Sequence, residues 1–180
     1  MARKMALSAV GSDCPGIVCE VSRVLYEHGC NLEDSSMTIL RGEFAMILIV
    51  AVPEPADLGR LNADLHAVAD RLHLILSFRE LPLDEPPPAR EAGSPYMVSV
   101  YGADKPGIVY RVTDLLARRS INITDVNTRV VGEQLPVYIM LLEVDVPESI
   151  PEREIEEILG KLARELSVDI TVRPLETAQL

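Results

Sequence analysis

Two short stretches of the chain set glycine, aspartate and proline at the same spacing: Gly11-Ser-Asp-Cys-Pro-Gly16 and Gly102-Ala-Asp-Lys-Pro-Gly107. Each follows an apolar run and precedes apolar residues at helical spacing, so each joins a strand to a helix N-terminus. Unpaired backbone N–H groups point outward there, and the helix dipole favours negative charge. That corner suits a small carboxylate. Asp13 and Asp104 place an anionic acceptor beside it, suited to an ammonium group. Donors for one end of a ligand and a carboxylate for the other fit a free α-amino acid. A plainer reading stands beside this one: Asp before a helix often serves as its N-cap, and Gly and Pro are ordinary turn residues.

Asn31 and Asn122 each begin the strand after the helix, both twenty residues beyond the leading glycine (11 to 31, 102 to 122). Loop and asparagine are therefore expected at opposite ends of the helix, roughly 20 Å apart by its rise per residue. One domain cannot easily bring both to one ligand; two domains or two chains laid edge to edge could. Asn capping a turn is the alternative. The candidate ligand-binding set is thus Gly11, Asp13, Gly16 and Asn31, with Gly102, Asp104, Gly107 and Asn122.

The elements behind these residues are duplicated. At a shift of 91 residues Val21, Leu25 and Asp34 fall on Val112, Leu116 and Asp125; at 94, Phe44 to Pro53 overlays Tyr138 to Pro147. A repeat this long means two small domains. In one repeat, Met5 to Val10 reads as a strand. Ile17, Val18, Val21, Val24 and Leu25 mark a helix that stops at Gly29. Leu32 to Leu40 and Phe44 to Val52 read as a β-hairpin around Arg41-Gly42-Glu43. Leu58, Leu61, Leu65, Val68 and Leu72 make a second helix, and Leu74 to Leu81 a last strand. The order βαββαβ predicts an α+β fold: a ferredoxin-like, four-stranded antiparallel sheet with both helices on one face. The second repeat follows from Tyr96 to Leu175. We expect domain 1 over residues 1–82, a semi-rigid Pro-rich linker over 83–94 with the boundary near 88, and domain 2 over 95–176. Glu143 and Asp145 leave one face of the second sheet polar. Their counterparts Ile49 and Ala51 are apolar, so the helix-free face of the first sheet, around Ala45, Ile47 and Ile49, is expected to pack on the other domain or another chain.

Composition narrows the function. A net charge of -11 opposes unaided nucleic-acid binding. Three cysteines at irregular spacing make neither a disulfide framework nor a metal motif. Cys19 and Cys30 read as packing residues. The apolar run before Gly11 is too short for a signal peptide, and Phe44 to Val52 too short to span a bilayer, so a cytoplasmic protein free of membranes is expected. His28, His66 and His73 have no Ser or Cys partner at a recognisable spacing, and no catalytic group, metal or cofactor is expected.

Gly-x-Asp-x-Pro-Gly opening the helix, then Gly29-Cys-Asn-Leu or Ser120-Ile-Asn-Ile opening the second strand, resembles the ACT domain, a regulatory amino-acid-binding module. Tandem copies over about residues 4 to 176 resemble the glycine cleavage system transcriptional repressor family. That resemblance implies side-by-side packing of sheets in a homo-oligomer, with ligands at the interfaces. It implies a small amino acid such as glycine as ligand, and action through a separate DNA-binding transcriptional regulator. An adaptor that binds a protein partner and has lost its ligand is the alternative. One departure stands out: the position between Asp and Pro, often basic in this domain, is Lys105 in the second copy and Cys14 in the first, so the two sites are expected to differ.

Overall fold

The computed structural model describes residues 2–82, 93–132, 134 and 136–175. Contacts divide the chain into two compact units, Met1–Pro88 and Ala89–Leu180. Most of the expected linker, residues 83–92, lies outside the described residues.

The first unit runs β1 (Arg3–Ser12), α1 (Ile17–Glu27), β2 (Asn31–Leu40), β3 (Glu43–Val52), α2 (Leu58–Leu72) and β4 (Leu74–Glu80). The second repeats it as β5 (Gly93–Ala103), α3 (Ile108–Arg118), β6 (Asn122–Val131), β7 (Val137–Pro147), α4 (Glu152–Leu166) and β8 (Val168–Pro174). Both helix pairs correspond residue for residue at the two shifts. Each sheet is antiparallel, in the orders β2-β3-β1-β4 and β6-β7-β5-β8. Strand β1 is longer than its apolar run because Arg3, Lys4, Gly11 and Ser12 continue the ladder against β3. Gly93 and Ser94, assigned to the linker from composition, pair with Pro147 and Val146 as the start of β5.

Alternation decides which face is covered. Met5, Leu7 and Ala9 of β1 and Phe44, Met46, Leu48, Val50 and Val52 of β3 form one buried cluster with α1 and α2. Helix α1 contributes Ile17, Val21, Val24 and Leu25, the i, i+4, i+7, i+8 stripe of an amphipathic helix. Burying each such side chain stabilises by about 1.5–3 kcal/mol. Cys30 packs half-buried against this cluster, and burial pushes its thiol pKa up. Cys19 does not: it is exposed, because it lies two residues from both Ile17 and Val21 and so turns away from the sheet. On the helix-free face Ile47 and Ile75 are open to solvent, 57% and 81% exposed.

A bulge recurs in both copies. The register slips between Leu32 and Asp34, and again between Ile123 and Asp125. The extra residue lets Asn31 and Asp34 share the helix-free face, opposite Ala51 and Ile49.

Candidate ligand-binding site

Gly11 and Gly102 lie inside central strands, and close strand packing accounts for them. A Cβ on Gly11 would meet the His73 carbonyl oxygen and Leu74 Cδ2, each at 2.8 Å. One on Gly102 would meet Val168 Cγ1 at 2.6 Å. Gly16 and Gly107 are the N-cap residues of α1 and α3, at φ of 103° and 96°. Those angles lie in the left-handed region that favours glycine. Each of the four glycines thus has a packing or conformational reason of its own.

The aspartates differ. Glycine at each cap position carries no side chain to satisfy the first-turn amides, so neither Asp13 nor Asp104 is the N-cap. The Asp13 backbone N–H donates to the Gly42 carbonyl at 2.7 Å, tying the loop to the β2–β3 turn. Both aspartates are exposed, and among the described residues neither carboxylate has a hydrogen bond or ion pair. An unpartnered carboxylate beside uncapped helix amides is a bipolar corner.

Asn31 opens β2 opposite Ala51, whereas Gly11, at the head of the loop, pairs with Phe44. From Phe44 to Ala51 is seven residues along β3, roughly 24 Å at a strand's rise. Asn122, opposite Asp145, is equally far from Gly102, opposite Tyr138. The fold therefore keeps aspartate and asparagine of one copy apart.

It does bring other residues to the second corner. Asp104, Lys105 and Tyr138, with residues 106–110, line an open concavity of about 460 Å³. Tyr138 is only 9% exposed, and Thr128 on the neighbouring strand acts weakly to lower its pKa. Burial first, and the Asp104 carboxylate second, push its pKa up, so the phenol stays protonated at neutral pH. The first copy holds Cys14, Phe44 and Met37 where the second has Lys105, Tyr138 and Thr128. Cys14 packs half-buried against the core. Both corners keep their aspartate, but the second adds an ammonium and two hydroxyls where the first has a thiol and two apolar side chains. Tyr138 and Thr128 were not among the sequence candidates. The overlay of Phe44 on Tyr138 was their only signal, and a single hydroxyl is easily passed over.

The family model of the ACT domain matches residues 4–79 and 94–173. The chain belongs to the ACT-domain family. It carries the domain in two tandem copies and is related to the glycine cleavage system transcriptional repressor of Escherichia coli K12, with 25% identity over 97% of this chain and 92% of that one. A UPF0237 protein of Methanopyrus kandleri is 39% identical over 38% of this chain and 78% of its own. Among solved structures, an unknown protein from Galdieria sulphuraria superposes with a TM-score of 0.82 at 27% identity, covering 98% of this chain and all of that one. A putative glycine cleavage system transcriptional repressor shares the fold with a TM-score of 0.70 at 21% identity, covering 98% and 99%. The tandem ACT architecture marks a regulatory protein. No helix among the described residues is long and apolar enough to cross a membrane.

Proposed function

We propose that this tandem ACT protein is a cytoplasmic, non-catalytic sensor of a small amino acid such as glycine, and that the second copy holds the working site. Asp104 takes the ligand's ammonium group. The first-turn amides of α3, with Lys105 and the Tyr138 hydroxyl at hand, take its carboxylate. The observation that carries this reading is the free Asp104 carboxylate facing an uncapped helix end beside a buried, protonated phenol. Asn122 stands far from Asp104 in its own copy, so any contribution it makes to a ligand comes from a neighbouring module.

A ligand that bridges modules stabilises one assembled arrangement, and only differential affinity for that arrangement carries a signal. The likeness to the E. coli repressor supports glycine or one-carbon metabolism as the setting, through a separate DNA-binding regulator. A net charge of -11 fits a protein that does not itself hold DNA. The second reading, a protein-binding adaptor, draws on the less polar side chains Cys14, Met37 and Phe44 at the first corner. Titration calorimetry with glycine and serine separates the two readings. Binding that weakens in Asp104→Ala and Asn122→Ala, and persists in Asp13→Ala, supports a sensor. Absence of heat with any proteinogenic amino acid leaves the adaptor.

A further inference from the structure

The outward faces of the helices carry opposite charge patterns in the two copies. On α1, Glu20, Arg23 and Glu27 form a stripe reading minus, plus, minus, at the i, i+3, i+7 spacing that lines one helix face. At the corresponding positions α3 carries Arg111, Asp114 and Arg118, reading plus, minus, plus. The second helices continue the inversion: Arg60, Asp70 and Arg71 on α2 become Glu154, Arg164 and Glu165 on α4.

Ion pairs within each copy follow the swap. Glu20 meets Arg23 at 2.9 Å and Arg71 at 2.6 Å, and Arg23 meets Glu27 at 2.8 Å. In the second copy Arg111 meets Glu165, and Arg118 meets Asp114 at 3.0 Å. Pairing inside a copy would be served equally by the same charge order in both, so it gives no reason for the inversion. Docking of one stripe on the other does. Laid antiparallel, Glu20 faces Arg118, Arg23 faces Asp114 and Glu27 faces Arg111, and every contact is attractive. Two α1 stripes would oppose glutamate to glutamate and arginine to arginine, and two α3 stripes fail the same way. Hydrogen bonds from Arg23 and then Arg71 hold the Glu20 carboxyl below the ordinary carboxylate range, so the stripe stays ionised at neutral pH.

Aromatic residues fall in the same register. Tyr26 on α1 and Tyr110 on α3 are 82% and 66% exposed. Each lies about a quarter turn to the same side of its stripe at 3.6 residues per turn. Same-side flanks meet in an antiparallel helix pair, so the two phenol rings would flank one edge of the contact. Exposed tyrosines are typical of protein interfaces.

The arginines of the stripes are accessible, the Arg23 and Arg118 side chains at 47% and 75%, while Glu20 and Asp114 are half-buried at 28% and 33%. We infer that the helix face of the first ACT copy docks on the helix face of the second copy in another chain of the same protein, matched by these inverted stripes.

The test swaps charges without disturbing either domain. One variant gives α1 the pattern of α3 (Glu20→Arg, Arg23→Glu, Glu27→Arg, Arg71→Glu). The other gives α3 the pattern of α1 (Arg111→Glu, Asp114→Arg, Arg118→Glu, Glu165→Arg). Net charge and all the pairs within a copy are kept, and melting temperatures should match the wild type. In sedimentation at low salt the wild type should self-associate through this face, more weakly at high salt. Each swap should weaken association about ten-fold or more. The double swap, or an equimolar mixture of the two single swaps, should restore it. A monomeric wild type, identical sedimentation of all four proteins, or a mixture that stays apart would overturn the inference. None of these readouts depends on amino-acid binding, so this proposal and the sensor reading fail separately.

Discussion

Gly102 and Asp104 sit two residues apart in one motif, yet packing accounts for the glycine while the aspartate carries the proposed sensing role, and two alanine variants separate the two. In Gly102→Ala the new methyl would lie 2.6 Å from Val168 Cγ1 and 3.1 Å from Val168 Cβ. Val168 is β-branched and held in β8 opposite Gly102, so it cannot rotate away cheaply. Overpacking of this kind costs about 2 kcal/mol. For a domain of this size that is a fall of roughly 10 °C in melting temperature. Asp104→Ala removes an exposed carboxylate with no partner among the described residues, and should change stability by less than about 0.5 kcal/mol. Thermal melts with and without the amino acid that calorimetry identifies provide the assay. A ligand at about a hundred times its dissociation constant adds about 2.7 kcal/mol to the wild type. Gly102→Ala should melt early and keep much of that increment; Asp104→Ala should melt normally and lose it. If Gly102→Ala melts like the wild type but ignores ligand, the glycine serves ligand approach and the packing account is wrong. If Asp104→Ala falls as far as Gly102→Ala, the aspartate is structural and the sensor reading loses its anchor.

Two further perturbations probe other parts of the frame. Tyr138→Phe should change the alkaline limb of stability. The folded pKa is raised, so below the unfolded value near 10 both states hold the proton. As pH climbs beyond it the unfolded state releases the proton first, and the wild type loses stability. Urea unfolding at pH 8 and pH 11 should show a smaller drop in the variant, and equal drops would remove Tyr138 from that window. In the first copy, the Asp57 carboxylate accepts from the Arg60 N–H at 3.0 Å at the start of α2. Asp57→Ala should cost about 1 kcal/mol by chemical denaturation, as loss of a helix cap does.

The fold was legible because duplication checked every element twice. A helix suggested by Val21, Val24 and Leu25 was suggested again by Val112, Leu115 and Leu116, and the two extents agree residue for residue. What escaped was polar continuation of a strand. Gly93 and Ser94 look like linker, yet their backbones pair with β7, because a ladder depends on backbone partners rather than side-chain type. The candidate site was half legible. Glycine, aspartate and proline at fixed spacing marked the corner. The phenol beside it arrives from β7 across the sheet, and Thr128 from β6. Sequence spacing does not announce such a meeting.

Divergence between the copies therefore carries more functional information than their likeness. Positions that maintain the sheet and its cover have kept their character: Leu61 corresponds to Ile155, Leu65 to Leu159 and Val68 to Leu162, all buried. Positions at the loop corner and on the helix faces have changed in kind. Cys14, Met37 and Phe44 give way to Lys105, Thr128 and Tyr138, and the α1 charge order gives way to its inverse on α3. Core substitutions among aliphatics of similar size cost little, so drift alone accounts for the first group. Three differences of polarity at one corner, and a full reversal of sign along one stripe, are differences in chemical kind. The corner change fits one copy specialising for a zwitterion, and the stripe change fits two unlike faces made for each other. Restoring Met37, Phe44 and Cys14 chemistry in the second copy, by Thr128→Met, Tyr138→Phe and Lys105→Cys together, would then abolish ligand binding while the charge-matched association of chains survives.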